Sequence, residues 1–234
     1  MQLFIDIGYI SFKLAMAMNK DELLDNLMSQ DTKLCFDSEY NLRMATYPWY
    51  KSNRGEFLPP VTKALKKLAK DWQKVIKNRY PSQCVEEHGL EADDIVAMET
   101  ANCSEAYIMS QDHDFLQLKC AYLIDYHMQP WSVARLKQKT LWLEQGERYL
   151  TYQLLHGCTT DTIPRTIFTR DRYTAPFVFS QQSPLRTALL MLPEELARRS
   201  LNCLLLPTPL YYGRDPIECA LERYPDLRED LGSL

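Results

Sequence analysis

The chain reads as an α/β protein with a central, mostly parallel sheet flanked by helices and a mainly helical C-terminal part. Three observations point there. Short apolar runs alternate with longer segments of helical composition, the order that builds a doubly wound sheet. Several of those runs end on a carboxylate, at Asp6, Asp37 and the pair Asp112/Asp114. Finally, 234 residues suffice for one large α/β domain carrying a smaller appendage.

The strands are expected at Gln2–Ile7, Leu34–Asp37, Ala106–Met109 and Tyr122–Tyr126. Ile10–Met28 has helix-like composition, and Tyr47–Pro60 is a connection containing Tyr, Pro and Gly. Val61–Arg79 is strongly helical, because Val61, Leu65, Leu68, Trp72 and Val75/Ile76 recur at three- to four-residue spacing with lysines between them. Pro59-Pro60 is a start signal for that helix. Leu90-Glu91-Ala92-Asp93-Asp94 opens another, running to about Asn102, with acidic residues placed at the positive end of the helix dipole. Asp112–Leu118 is a turn and short helix, and Leu141–His156 is helical. Beyond Cys158 the clearest helices are Pro193–Leu206 and Pro216–Tyr224.

Composition excludes several classes. No apolar run reaches the ~20 residues needed to cross a bilayer. Leu3-Phe4-Ile5 is interrupted at once by Asp6, unlike a secretory signal. Seven cysteines without paired spacing indicate reduced thiols in a cytoplasmic compartment, and no Cys/His group has zinc-finger spacing. A net charge of −4 argues against a simple electrostatic nucleic-acid binder. That average hides Lys51–Arg79, where Lys51, Arg54, Lys63, Lys66, Lys67, Lys70, Lys74, Lys77 and Arg79 face only Glu56 and Asp71. On composition alone, a solvated helix face explains this stretch better than a phosphate-binding surface.

In an open parallel sheet, ligands bind beyond the carboxyl ends of the strands. Asp6, Asp37, Asp112 and Asp114 follow strands, while Glu91, Asp93 and Asp94 stand where a loop enters a helix, so all are candidates to converge on one edge. Crowded carboxylates repel one another unless cations neutralise them. Oxygen ligands nearly without His or Cys suit Mg²⁺ or Mn²⁺.

The order of these blocks resembles the 5′-nuclease family of flap endonucleases, polymerase-associated 5′-nucleases and phage 5′-exonucleases, over roughly residues 2–165. Phe4-Ile5-Asp6-Ile7-Gly8 looks like the opening strand with its first metal-binding Asp. Phe36-Asp37, Arg43 and Tyr50-Lys51-Ser52-Asn53-Arg54 look like the second Asp and the Tyr-Lys-x-x-Arg element. Gly89–Asp94 matches the most specific motif, and Ser110–Leu118 resembles the Ser-Gly-Asp-x-Asp-x-x-Gln-Leu block. Gly157–Pro164 resembles Gly-Asp-x-x-Asp-Asn-Ile-Pro. The small size and loose match favour a bacteriophage-type member, acting in a host cytoplasm and in DNA replication.

The resemblance implies a PIN-like 5′-nuclease core over residues 1–157 with a helical arch insertion at about 38–80. Residues 158–234 would form a degenerate helix–hairpin–helix-like DNA-binding part. It implies two-metal hydrolysis of DNA at 5′ single-stranded ends or flaps, with Mg²⁺ or Mn²⁺. Asp6, Asp37, Glu91 and Asp93 would serve the first ion, Asp94 and Asp112 sit between sites, and Asp114 and Asp161 serve the second. Lys51 would hold the scissile phosphate, with Asp94 and Asp112 completing the catalytic set. Tyr50 would stack on a base and Arg54 clamp a phosphate. Lysines 63, 66, 67 and 70 would line or flank the passage for the single strand, which turns the basic helix from surface decoration into a DNA contact.

Two features depart from the family. Cys158 stands where a second-site Asp is expected, and a thiol is a poor Mg²⁺ ligand. No glycine lies between Gly157 and Gly213, although a tight phosphate-binding hairpin needs one. Duplex binding then falls to Arg165, Arg170 and Arg172, or is lost. The alternatives are a degenerate member that binds branched nucleic acid or a protein partner, and a PIN-type ribonuclease acting on RNA. The basic helix and the Glu-Ala-Asp-Asp block disfavour the ribonuclease. Restoring the carboxylate in Cys158→Asp is expected to strengthen metal binding or turnover; an unchanged metal titration and nuclease rate would count against the alignment.

Overall fold

The computed structural model describes residues 2–54, 58–103, 105–118, 121–131, 146–159, 161–165 and 174–224, except for the side chains of Ala121 and Thr174. Two compact units emerge, and they interleave along the chain. The first comprises Met1–Asn41, Gly55–Phe115 and Cys120–Ser132; the second comprises Leu42–Arg54, Leu116–Lys119 and Val133–Leu234.

The first unit carries a five-stranded, all-parallel sheet, as the alternation of strands and helices predicts. Its strands are β1 (Gln2–Asp6), β2 (Thr32–Cys35), β3 (Cys84–Val85), β4 (Ala106–Met109) and β5 (Ala121–Ile124), in the order β3-β2-β1-β4-β5. β3 was not foreseen, since two half-buried residues leave no periodic signal. Strand order reverses between β1 and β4, which makes that position the topological switch point where α/β sheets bind ligands.

The segment expected to be one helix forms two, α1 (Ile7–Met16) and α2 (Lys20–Leu27). The first stops where Ala17 turns extended. Ile7, Ile10 and Leu14 follow helical spacing and are buried with Leu24, Leu34 and Met109 in the core of this unit. α3 (Leu42–Thr46) lies in the second unit, whereas α4 (Pro60–Arg79) and α5 (Ala92–Thr100) belong to the first.

α4 is the helix expected in the arch. It buries Ala69 and Ile76, with Trp72 packed alongside, so its C-terminal half is anchored on the core. Val61, Leu68 and Val75, expected on the same face, are instead 72%, 46% and 44% exposed. They recur every seventh residue along a line roughly 60–100° around the helix from Ile76, outside the buried stripe. Lys63, Lys66, Lys67 and Lys70 are exposed too, without an ion-pair partner among the described residues.

The second unit is helical: α6 (Glu147–His156), α7 (Thr174–Ser180), α8 (Pro184–Met191), α9 (Glu194–Leu204), α10 (Pro209–Tyr212) and α11 (Pro216–Arg223). The expected start of α6 at Leu141 lies outside the described residues, as do Arg170 and Arg172. Leu150, Leu154, Leu185, Leu201 and Ala220 form its core. No described helix is long and apolar enough to cross a membrane, and the cysteines among the described residues form no disulfide with one another.

Arg43 on α3 is 1% exposed, and its guanidinium donates to the carbonyls of Asn202 (3.4 Å) and Leu205 (3.3 Å) at the end of α9. Those carbonyls lack intrahelical partners and form the negative end of the helix dipole. Arg43→Met is expected to destabilise the protein by about 2–4 kcal/mol, because the helix-end carbonyls lose a charged donor and Asn202 keeps only the Thr208 hydroxyl. The urea midpoint reports it; a midpoint equal to wild type would refute this role.

Candidate active site

The site begins with Asp6, the last residue of β1 and the N-cap of α1. Its Oδ1 accepts from the Tyr9 amide at 3.2 Å, and its Oδ2 accepts from the Ser110 hydroxyl at 2.8 Å. Gly8 leaves the carboxylate room, since a Cβ there would approach Asp6 Oδ1 to 3.2 Å. The Asp6 carboxyl is raised to about 6: burial is the largest cause, the Ser110 hydrogen bond opposes it, and the charges of Asp37 and Asp112 add to the rise. Asp37 lies two residues beyond β2, and its Oδ1 accepts from the Ala92 amide at 2.8 Å, tying the second strand's loop to the start of α5.

Glu91 caps α5, and its amide donates to Asp94 Oδ2 at 3.2 Å. The Asp94 amide donates to Asp93 Oδ1 at 2.8 Å. Glu91, Asp93 and Asp94 each present a ligand atom within 4.8 Å of the others, and Glu91 and Asp94 are buried. Beyond β4, the Asp112 amide donates to Ser110 Oγ at 3.1 Å and the Asp114 amide to Asp112 Oδ1 at 2.9 Å. Ser110 therefore joins the β1 carboxylate to the Asp112–Asp114 turn. Sequence reasoning quoted this serine but gave it no role; a Ser two residues before an Asp amide is a recognisable turn signal.

Asp6, Asp37 and Asp112 thus share one edge of the sheet at its switch point, with Asp114 hydrogen-bonded to that turn and Glu91, Asp93 and Asp94 beside the α5 amide that holds Asp37. The donor set is all oxygen, and burial together with the charges of Asp37 and Asp112 disfavours the ionised form of Asp6. This chemistry fits a hard divalent cation. The burial that raises glutamates and aspartates elsewhere acts here on a group surrounded by its own kind.

The second unit holds the remaining candidates. Tyr50, expected to offer its ring to a base, is instead 2% exposed and packed in the core of this unit. Lys51 adopts φ 55, and its ammonium lies 4.9 Å from the centre of the Tyr50 ring. Arg54 pairs with Asp161 at 2.5 Å, and Lys51 Nζ stands 4.0 Å from the same oxygen. The Cys158 thiol donates to Asp161 Oδ2 at 3.3 Å. Asp161 is therefore engaged by cations, a pairing that no local pattern in the sequence signals. Gly157 closes the loop at φ 68, where a Cβ would fall 2.5 Å from the Ile163 carbonyl.

In the absence of metal, the raised Asp6 carboxyl makes the protein prefer its protonated form. That advantage is complete below the unfolded value of 3.8 and lost as pH rises through about 6. Asp6→Asn is therefore expected to raise the melting temperature in EDTA at pH 8, by a stability increment on the order of 1–3 kcal/mol, and to change little at pH 4. Melts in EDTA at both pH values measure this, and a lower melting temperature at pH 8 would refute the account of a carboxylate raised by burial and like charge.

Comparison with known proteins bears on the fold and the family. Pairwise comparison with curated proteins gives no match. Two solved bacteriophage T5 structures share the fold. One is T5 5′-exonuclease with bound divalent zinc: 15% identity, TM-score 0.66, 97% of this chain and 98% of the other covered. The other is T5 D15 flap endonuclease in a pseudo-enzyme-product complex with DNA and metal ions: 16% identity, TM-score 0.66 and the same coverage. The family model for the 5′-3′ exonuclease N-terminal resolvase-like domain matches residues 11–141, more than half of the chain. The protein belongs to the 5′-3′ exonuclease family, whose members are metal-dependent nucleases.

Proposed function

We propose that this nuclease hydrolyses DNA phosphodiesters from 5′ ends or at 5′ flaps, using Mg²⁺ or Mn²⁺ held at the edge of the sheet. The observation that carries this reading is the gathering of Asp6, Asp37 and Asp112 at the switch point, with charges that act on one another. Asp6, Asp37, Glu91 and Asp93 would hold the ion, with Asp94, Asp112 and Asp114 adding charge around it. When bound, a divalent cation supplies positive charge for the phosphate and activates water for attack. Two nucleases of the same fold with bound metal ions, one of them also with DNA, support the choice of substrate and cofactor.

The protein's own residues would do the rest. The Ser110 hydroxyl and the amides of Tyr9 and Ala92 hold Asp6 and Asp37 in place without neutralising them. Lys51 would hold the scissile phosphate, a role carried over from the resemblance, and Arg54 would assist. Lys63, Lys66, Lys67 and Lys70 would track the backbone of a single strand along the exposed side of α4, and that binding would weaken as salt rises. A second ion would be held weakly, because Cys158 offers a thiol and Asp161 is already paired.

That weakness favours a second reading, in which the chain binds branched nucleic acid without cutting it efficiently. One experiment separates the two. Wild type and an Asp112→Asn/Asp114→Asn variant are incubated with 5′-flap, blunt-duplex, single-stranded DNA and RNA substrates, with Mg²⁺ or Mn²⁺. The expected result is cleavage at DNA 5′ ends or flaps, reduced at least 100-fold in the variant, since transition-state charge stabilisation is worth about that much or more. Binding without cleavage under either metal would establish the second reading, and preferential RNA cutting would point to a ribonuclease.

A further inference from the structure

Asp161 is engaged on both carboxylate oxygens. Arg54 and Lys51 share Oδ1, at 2.5 and 4.0 Å, while the Cys158 thiol donates to Oδ2. The backbone adds to this, with the Lys51 amide donating to the Asp161 carbonyl at 3.0 Å. Asn53 bridges the same two loops, donating to the Thr159 carbonyl at 2.7 Å and accepting from the Thr162 hydroxyl at 3.0 Å. Asp161 is largely covered, its side chain 7% exposed, and that of Lys51 only 12%.

We propose that Asp161 is a positioning residue, the counter-ion that fixes Lys51 and Arg54 on their loop, and not a ligand of a divalent cation. A free lysine or arginine side chain samples many rotamers, and ordering it for phosphate contact is costly. A covered carboxylate between the two removes much of that freedom before substrate arrives. Lys51 sits at positive φ, which costs a non-glycine residue of order 1 kcal/mol or more and persists only where surrounding contacts impose it. The bonds from Asp161 and Asn53 are those contacts. Cys158 completes the arrangement, because a thiol donates a hydrogen bond without adding charge.

The effect on cleavage rests on the phosphate role of Lys51 above, so the deciding measurements do not depend on cleavage. Asp161→Asn and Asp6→Asn are compared by melting in EDTA and by direct Mn²⁺ titration. A carboxylate that acts as counter-ion and one that crowds a metal site respond with opposite sign. Asp161→Asn is expected to lower the melting temperature by a few °C, with Mn²⁺ affinity within about twofold of wild type. A higher melting temperature, or Mn²⁺ binding weakened tenfold or more whichever way the melt moves, would overturn the proposal. Should Asp161→Asn fail to accumulate folded, Arg54→Met carries the test. It should melt lower with unchanged Mn²⁺ affinity, and a melt equal to wild type would overturn the proposal.

Where cleavage is measurable, Asp161→Asn should lower kcat at saturating metal, leave the half-saturating metal concentration unchanged, and add less than about threefold to the loss in Lys51→Met. An additive loss would overturn the claim that Asp161 acts through Lys51. An inactive wild type would refute the functional reading while leaving the melting and Mn²⁺ results to decide the role of Asp161.

Discussion

Negative charge gathered at the carboxyl ends of parallel strands is the constraint on which the rest of this structure turns. Asp6 ends β1, caps α1 and stands at the switch point of the sheet, so three levels of organisation meet in one side chain. Its place is over-determined: the Tyr9 amide and Ser110 hydroxyl hold its oxygens, and Gly8 keeps Cβ bulk away from them. Yet burial, and after it the charges of Asp37 and Asp112, make ionisation harder. Neutral donors orient such a carboxylate without satisfying its charge, which leaves the cluster an attractive site for a hard cation.

The Asp161 loop solves the opposite problem. There the carboxylate meets Arg54, Lys51 and a thiol, and the charge is matched within the fold. Both arrangements use short-range hydrogen bonds to fix geometry. They differ in whether the protein supplies the positive charge itself. Two aspartates thus stand in different electrostatic settings, one among like charges and the other paired with two cations.

The basic helix shows how local patterning and packing divide responsibility. Its seven-residue repeat of Val61, Leu68 and Val75 imitates a core stripe, but only Ala69, Ile76 and the neighbouring Trp72 meet the core. The lysines remain on the exposed surface in either case, so their availability to a phosphate backbone follows from composition and helicity alone. Which apolar residues share that surface depends on how the helix is rotated against α1, which no count of residues along the chain records.

Much of the fold was legible because its signals are local. Alternating apolar runs and helical segments specify a parallel sheet, and β1, β4 and the helix after Glu91 fall within a residue or two of expectation. The motif order specifies the family, since each block is a short contiguous string. What could not be read were the events that join distant segments. Ser110 bonds to Asp6 across 104 positions, Arg54 to Asp161 across 107 and Arg43 to the carbonyl of Asn202 across 159. The inward turn of Tyr50 and the two-residue β3 belong with these. Sequence by itself determined which chemical groups stand ready at which strand ends, because periodicity and turn chemistry are properties of neighbouring residues. Tertiary structure alone decided which of those carboxylates crowd together and which find a cation, because charge acts through space between groups that the chain brings close only when folded.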